Sequence, residues 1–434
     1  MKRKHQNIML KISNPELSRG KIPIMTEIEK CELIWRGKTE KKGKRTEKHH
    51  LLKTVQSVNT PRSVKAWKNK LIIGDNKFVI EALLKEFTGK INVIYIDPPF
   101  ASGISHKTSI RNRRMQEKVL KESSNTIKNG FKDTWGVNSL DSYLTFMYER
   151  LVLIRELLAN NGSIFVHLDW HAVHYIKVIM DEIFGRKNFR ADIIWQRTPG
   201  HHLSLTMDVM TDVILWYSKT NDIVYHQQYQ SLTDEEMREK FPYTENETGR
   251  HFTHEKLEQS ANAYNIGERR IIGGREVTTS VGWRWTQETF DQRLKENPHL
   301  IFWTNKGRPR YKRYADEYQG RKIGNLWSDL PSLASNDKER IGYPTQKPEA
   351  LLKRIIKMTS NEGDLIADLF CGSGTTLTVA EKLRRRWIGV DSSQYAIELT
   401  KKRLLRLKES KDLLYEGKCY GKEPNPFELF ILDL

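Results

Sequence analysis

Cysteine is scarce in this chain: Cys31, Cys371 and Cys419 are the only three in 434 residues. Three well-separated thiols form neither a disulfide framework nor the paired spacing of a zinc knot. That scarcity points to a reducing compartment. Long apolar runs are missing too, since no stretch approaches the roughly 18 apolar residues of a membrane-spanning helix. The opening Met1-Lys2-Arg3-Lys4-His5 lacks the apolar core of a secretory signal. A cytoplasmic protein with no membrane partner is expected.

Acidic residues are also in short supply, with 54 Asp+Glu against 73 Lys+Arg and a net charge of +19. The imbalance is concentrated at one end. Residues 1–70 hold 19 Lys+Arg and 6 Asp+Glu, including Lys41-Lys42-Gly43-Lys44-Arg45. Such an excess attracts polyanions by counterion release. It is also what a solvated arm that only keeps the chain soluble looks like.

Order is expected to begin near Trp67, after a basic arm over 1–66. Leu71-Ile72-Ile73, Ile91 to Ile96, Ser163 to Asp169, Ala191 to Gln196, Val213 to Tyr217, Leu365 to Leu369 and Trp387 to Val390 read as strands. Near-continuous apolar strands belong to a sheet covered on both faces. Helical patterns lie between them, at 78–84, 143–158, 171–184 and 348–358. This alternation predicts a doubly wound α/β sheet. Residues 221–339 break it, being rich in charge and aromatics, and read as a separate domain inserted into the sheet domain.

Two motifs carry chemistry. Asp368-Leu369-Phe370-Cys371-Gly372-Ser373-Gly374-Thr375-Thr376 follows a strand and opens a helix. Glycines there allow a ligand to approach the backbone and the helix N–H groups. Asp391, at the next strand end, is placed to accept from ribose hydroxyls. An ordinary strand–helix turn, with Asp391 as a cap, reads the same way.

The second motif is Asp97-Pro98-Pro99-Phe100, at another strand's carboxyl end. Proline cannot donate to a central ladder, so the strand stops there. Two rigid prolines fix a carboxylate and a carbonyl beside an aromatic face. That suits a flat ring bearing an amine: Asp97 and the Pro98 carbonyl accept the amine hydrogens while Phe100 stacks on the ring. Accepting both hydrogens favours a pyramidal nitrogen with its lone pair free to attack.

Asp-Pro-Pro-Phe together with Asp-x-Phe-x-Gly-x-Gly-Thr-Thr resembles the amino-methylating DNA methyltransferases. The order, catalytic motif first, is similar to the beta-class enzymes, which include the modification subunits of type III restriction systems. Trp35-Arg36-Gly37-Lys38, Gly74-Asp75-Asn76 and Tyr343-Pro344-Thr345-Gln346-Lys347-Pro348 add to the resemblance. It implies a Rossmann-like S-adenosylmethionine-dependent methyltransferase sheet, circularly permuted, with an inserted target-recognition domain.

The implied domains are a catalytic half at 67–220, target recognition at 221–339, a cofactor-binding half at 340–412 and a tail at 413–434. Asp97, Pro98, Pro99 and Phe100 would be catalytic. Asp75, Lys347, Asp368, Phe370, Gly372, Gly374, Thr375 and Asp391 would bind the cofactor, Asp75 at its adenine and Asp391 at its ribose. The chain departs from the family in Ala101-Ser102-Gly103, where Asn-Thr-Gly is usual, and in Phe100, where Tyr is commoner.

The resemblance implies a prokaryotic, nucleoid-associated enzyme acting on double-stranded DNA, as a homodimer, with a restriction subunit as a further partner. It favours adenine N6 over cytosine N4, whose enzymes usually carry Ser where Asp97 stands. The target base would have to be flipped from the duplex. Arg308, Arg310, Lys312 and Arg313 are candidate contacts to phosphates or bases. RNA as substrate, a nicotinamide-dependent oxidoreductase and a non-catalytic specificity subunit stay open as alternatives. His167, Asp169, His171, His174 and the His201-His202 pair read as strand-end and surface residues, and no catalytic metal is expected. The apolar Phe427 to Leu432 is a candidate docking tail.

Overall fold

The structure is a computed structural model that describes residues 9–13, 30–38, 50–59, 66–99, 139–199, 207–259 and 267–433. Phe100, Ala101-Ser102-Gly103 and His201-His202 lie outside the described residues. The chain divides into two compact units, Met1–Gln228 with Gly324–Leu434, and Tyr229–Ile323.

The larger unit is built on a ten-stranded sheet. Its strands are β1 (Leu51–Val58), β2 (Asn69–Ile73), β3 (Ile91–Ile96), β4 (Leu158–Leu168), β5 (Phe189–Gln196), β6 (Thr211–Ser218), β7 (Leu326–Trp327), β8 (Leu365–Asp368), β9 (Arg386–Asp391) and β10 (Phe427–Asp433). They lie in the order β7-β5-β6-β4-β3-β8-β9-β2-β10-β1. From β4 to β10 every neighbouring pair is parallel, while β6 and β1 run antiparallel to theirs. Strands late in the chain, β8 and β9, thus fill the slots between β3 and β2.

Alternation along the central strands sends Ile94, Ile96, Ala367, Ile388 and Val390 into one core. Helices α1 (Asn76–Phe87), α2 (Ser139–Leu157) and α3 (Val173–Phe184) cover that face, burying Leu83, Leu151 and Ile176 completely or nearly so. Helices α4 (Glu349–Thr359), α5 (Thr375–Lys382) and α6 (Gln394–Leu405) follow later in the chain, with α5 packed on β8 and β9. The expected α/β architecture is what the chain forms. Among the described residues, no helix is long and apolar enough to cross a membrane.

Three expectations need correction. Order does not begin near Trp67, because β1 precedes it and the segment around Trp35 is anchored. Trp35 is buried and donates through Nε1 to Thr145 Oγ1 on α2 at 2.9 Å, while Lys38 Nζ reaches Glu32 at 2.8 Å and Glu182 on α3 at 2.7 Å. The apolar Phe427–Leu432 is no docking tail, for it forms β10, hydrogen-bonded on both sides to β2 and β1. The strand expected from Ser163 begins already at Leu158, so Asn161-Gly162 lies inside β4 at a register shift.

The second unit is narrower than 221–339. Residues at both ends of that stretch serve the larger unit: the His226 backbone N–H bonds to Met358 O, and Trp327 pairs with Trp195 through β7 and β5. The unit itself holds a four-stranded antiparallel sheet, ordered Tyr243–Thr244, His251–Lys256, Pro309–Tyr314, Ile301–Trp303. A small core of Leu257, Ile272, Trp283 and Phe290 lies in it. Of the cations picked out as DNA contacts, Arg308 pairs with Glu258 (2.6 Å), Lys312 with Glu245 (2.5 Å) and Arg313 with Glu255 (2.5 Å).

Candidate functional site

Four adjacent parallel strands end in, or one turn before, an aspartate. In sheet order these are Asp97 after β3, Asp368 closing β8, Asp391 closing β9, and Asp75 two residues after β2. Ligands of open α/β sheets bind beyond such carboxyl ends. The fold therefore gathers Asp75, Asp97, Asp368, Gly372, Gly374, Thr375 and Asp391 along one edge. Phe100 lies outside the described residues.

Asp97 is mostly buried, and its Oδ2 accepts from the ammonium of Lys347. Lys347 comes from the segment before α4, which its own side chains hold in shape. Gln346 accepts from the Ile341 backbone N–H at 2.9 Å and donates to Glu339 O at 2.8 Å. The Lys347 carbonyl in turn accepts from Thr375 Oγ1 at 3.2 Å. One residue thus ties the strand-end carboxylate of β3 to the glycine turn after β8.

That turn is built around two carboxylates. Asp368 accepts from the Phe370 N–H and from Thr376 Oγ1, so each of its oxygens is engaged once, by the turn and by the start of α5. Asp391 accepts from the Gly372 N–H at 2.9 Å and the Ser393 N–H at 2.8 Å. Gly372 and Gly374 have φ of +48° and +71°, a region costly for side chains. A Cβ at Gly374 would come within 2.5 Å of Thr400, and one at Gly372 within 3.2 Å of Tyr343. The clash makes glycine necessary at 374, and the backbone favours it at 372.

The carboxylates sense one another. Burial first, and then the charges of Asp97 and Asp391, push the Asp368 carboxyl up to about 7. Burial likewise raises Asp391. The Tyr343 hydroxyl is held far above its ordinary value by burial, then by Asp391, Cys371 and Asp97. Tyr343 therefore stands among these carboxylates, with Tyr395 stacked beyond it at 6.3 Å.

Asp75 has a local role the sequence did not disclose. Its carboxylate caps α1 through the Lys77 N–H at 2.9 Å and pairs with Arg150 at 2.8 Å, yet remains half exposed. Phe370 packs edge-on against Phe146. Beneath Asp97 lies a further unforeseen group. The Tyr95 hydroxyl bonds to His167 Nδ1 at 2.8 Å, and His167 Nε2 lies 3.2 Å from Asp212. A carboxylate only accepts, so Nε2 donates to Asp212 while the other ring nitrogen is bonded to Tyr95. Burial favours a neutral Asp212, but His167, Arg197 and Lys347 together hold it below the usual carboxylate range. Long chain separation hid these partners, although His167 was visible as a polar residue in an apolar strand. Among the described residues, no three His, Cys, Asp or Glu side chains are grouped to hold a metal ion.

Several known proteins are similar to this chain along most of its length. The Enterobacter cloacae type II methyltransferase M.EcaI is 29% identical over 77% of this chain and 69% of its own length. The Mod subunit of the StyLTI type III restriction-modification enzyme of Salmonella typhimurium is 27% identical over 73% of this chain. The chain spans 50% of that subunit's length. Among solved structures, the Thermus thermophilus protein TTHA0409, complexed with S-adenosyl-L-methionine, is 17% identical with a TM-score of 0.40, covering 84% of this chain and 98% of that one. The family described as DNA methylase matches residues 91–402, well over half of the sequence and both motifs. The chain belongs to the DNA methylase family.

Proposed function

We propose that the protein transfers a methyl group from S-adenosylmethionine to the N6 amine of an adenine in double-stranded DNA. The observation that carries this reading is the junction at Lys347, which joins the amine-accepting corner at Asp97 to the glycine turn. The turn suits a nucleoside cofactor. Its two left-handed glycines keep side chains out of the cradle, and each Asp391 oxygen, engaged once by a backbone N–H, retains acceptor capacity for ribose hydroxyls. Gly372, Gly374, Phe370 and Asp391 would hold the cofactor, with Asp75 at the far end of the edge. The cofactor supplies an electrophilic methyl group on a sulfonium.

The remaining work falls to the chain. Lys347 occupies Asp97 Oδ2, so Oδ1 is the oxygen that receives an amine hydrogen. The Pro98 carbonyl receives the other, and Phe100 stacks on the ring. Hydrogen bonds to a charged acceptor contribute about 1.5–3 kcal/mol each. Here they favour the pyramidal nitrogen that attacks. After transfer the surplus proton leaves to water, directly or through Asp97.

Asp97, rather than serine, favours adenine over cytosine N4. The same reading takes the late placement of β8 and β9 as a circular permutation. It assigns the second unit, Tyr229–Ile323, to target recognition, the basic excess of the amino-terminal region to phosphate attraction, and a homodimer as the working unit, with a restriction subunit as a further partner. The test is methyl transfer from labelled S-adenosylmethionine to unmethylated genomic DNA, followed by nucleoside mass spectrometry. N6-methyladenine is expected. N4-methylcytosine would overturn the base assignment, and no product, despite binding of S-adenosylhomocysteine, would overturn the reaction.

A further inference from the structure

The corner after β4 carries a ring pair that the proposed reaction does not use. Trp170 is 55% exposed, the only exposed tryptophan among the described residues. Its indole stacks on the His171 imidazole, with centroids 3.7 Å apart and planes 27° from parallel. The imidazole is held from behind. Asp169 Oδ2 lies 2.5 Å from His171 Nδ1, and Asp169 Oδ1 accepts the His171 backbone N–H at 3.1 Å. The Asp169 carbonyl also accepts from the Val173 N–H at 3.1 Å, which fixes the turn into α3. An indole is a large apolar surface to leave in water, and here its orientation is set by a backing ring and a carboxylate.

Its location gives that surface a use. β4 and β3 are parallel neighbours with Val166 opposite Ile96. Continuing the register puts Asp97 beside His167, and Trp170 three residues further along. β4 ends at Leu168, so Trp170 lies in the turn just past the strand end that neighbours Asp97. The buried Tyr143 sits near both strand ends, since the charges of Asp169 and Asp97 add to burial in raising its hydroxyl.

We propose that Trp170, backed by His171 and Asp169, is a stacking platform for an unpaired base of the DNA substrate, beside the amine-accepting corner. Every base presents a π-face, so the platform is tolerant of sequence and takes a nucleobase rather than a phosphate. The proposal rests on the reading that the chain acts on DNA.

The test uses the full-length protein and two fluorescent single strands of about 20 nucleotides, one with bases and one with abasic sugars on the same phosphates. Both strands present the same charge, so their affinity difference reports base contacts. The wild type should prefer the base-bearing strand, W170A should lose roughly tenfold of that preference, and W170F should keep most of it. A wild type without preference, or a preference unchanged in W170A, overturns the platform. Binding of S-adenosylhomocysteine and methyl transfer are measured on the same samples. An enzyme that methylates but shows no Trp170-dependent preference loses only the platform. A protein that shows the preference but binds no cofactor and transfers no methyl group keeps the platform and loses the proposed reaction.

Discussion

The ammonium of Lys347 meets the carboxylate of Asp97, side chains 250 residues apart in the chain. Neither is fully exposed, and the lysine's own carbonyl is bonded to Thr375 of the glycine turn. Lys347 therefore belongs to both halves of the edge, holding the acceptor at Asp97 in register with the turn.

Replacing Lys347 by Met keeps the length and removes the charge. Asp97 then loses its partner and its fixed orientation. The expected outcome is a kcat at least tenfold lower, with affinity for S-adenosylhomocysteine changed by less than that, read by steady-state kinetics and calorimetry. An unchanged kcat would remove Lys347 from the account.

Gly374→Ala places a methyl group within 2.5 Å of Thr400 at a φ of +71°. Strain of this kind costs about 1–3 kcal/mol. Thermal melting should show a Tm lower by several degrees, and cofactor affinity should fall. Adding Thr400→Ala should restore part of the Tm, because it relieves the clash and leaves the backbone strain.

Asp368 gives a pH signature. Its carboxyl has an ordinary value of 3.8 and is raised in the fold to about 7, chiefly by burial. Below about pH 4 the group is protonated in both states. Between about 4 and 7 the folded chain keeps the proton that the unfolded chain releases, so stability falls as pH rises through that window. Above it the full cost of burying the charge remains. Asp368→Asn should flatten this part of the stability profile, measured by denaturant melts at several pH values. A slope identical to that of the wild type would show that Asp368 is not its source.

Lys38 tests the anchored amino-terminal segment. Its ammonium is shared by Glu32 and Glu182 and is largely buried. Removing one partner of a buried ion pair costs about 3–5 kcal/mol. Lys38→Met should lower Tm by several degrees. A Tm equal to that of the wild type would mean the segment does not hold α3.

The central sheet was legible because its strands are short apolar runs and its turns carry Pro98-Pro99 or paired glycines. Asp97 and Asp391 could be picked from their places at strand ends, whereas Asp75 and Asp368 took their roles from the family resemblance. What the sequence hid depends on pairing across the chain. Leu51–Val58 has mostly exposed side chains and becomes a strand only beside β10. Phe427–Asp433 reads as a loose apolar end until β2 and β1 flank it. The pairing of Asp75 with Arg150 stayed hidden because Arg150 lies in a helix with no local sign of it. The buried Tyr95–His167–Asp212 chain needs β3, β4 and β6 side by side before its members meet.

The most direct measurement compares Asp97→Ala with the wild type in two assays, calorimetric binding of S-adenosylhomocysteine and methyl transfer to genomic DNA. Asp97 is assigned to the amine and not to the cofactor cradle. The variant should bind the cofactor product within a few-fold of the wild type and lose at least about 10²-fold in methyl transfer, as when a transition-state hydrogen-bonding group is removed. A variant that still methylates DNA at the wild-type rate would contradict the account.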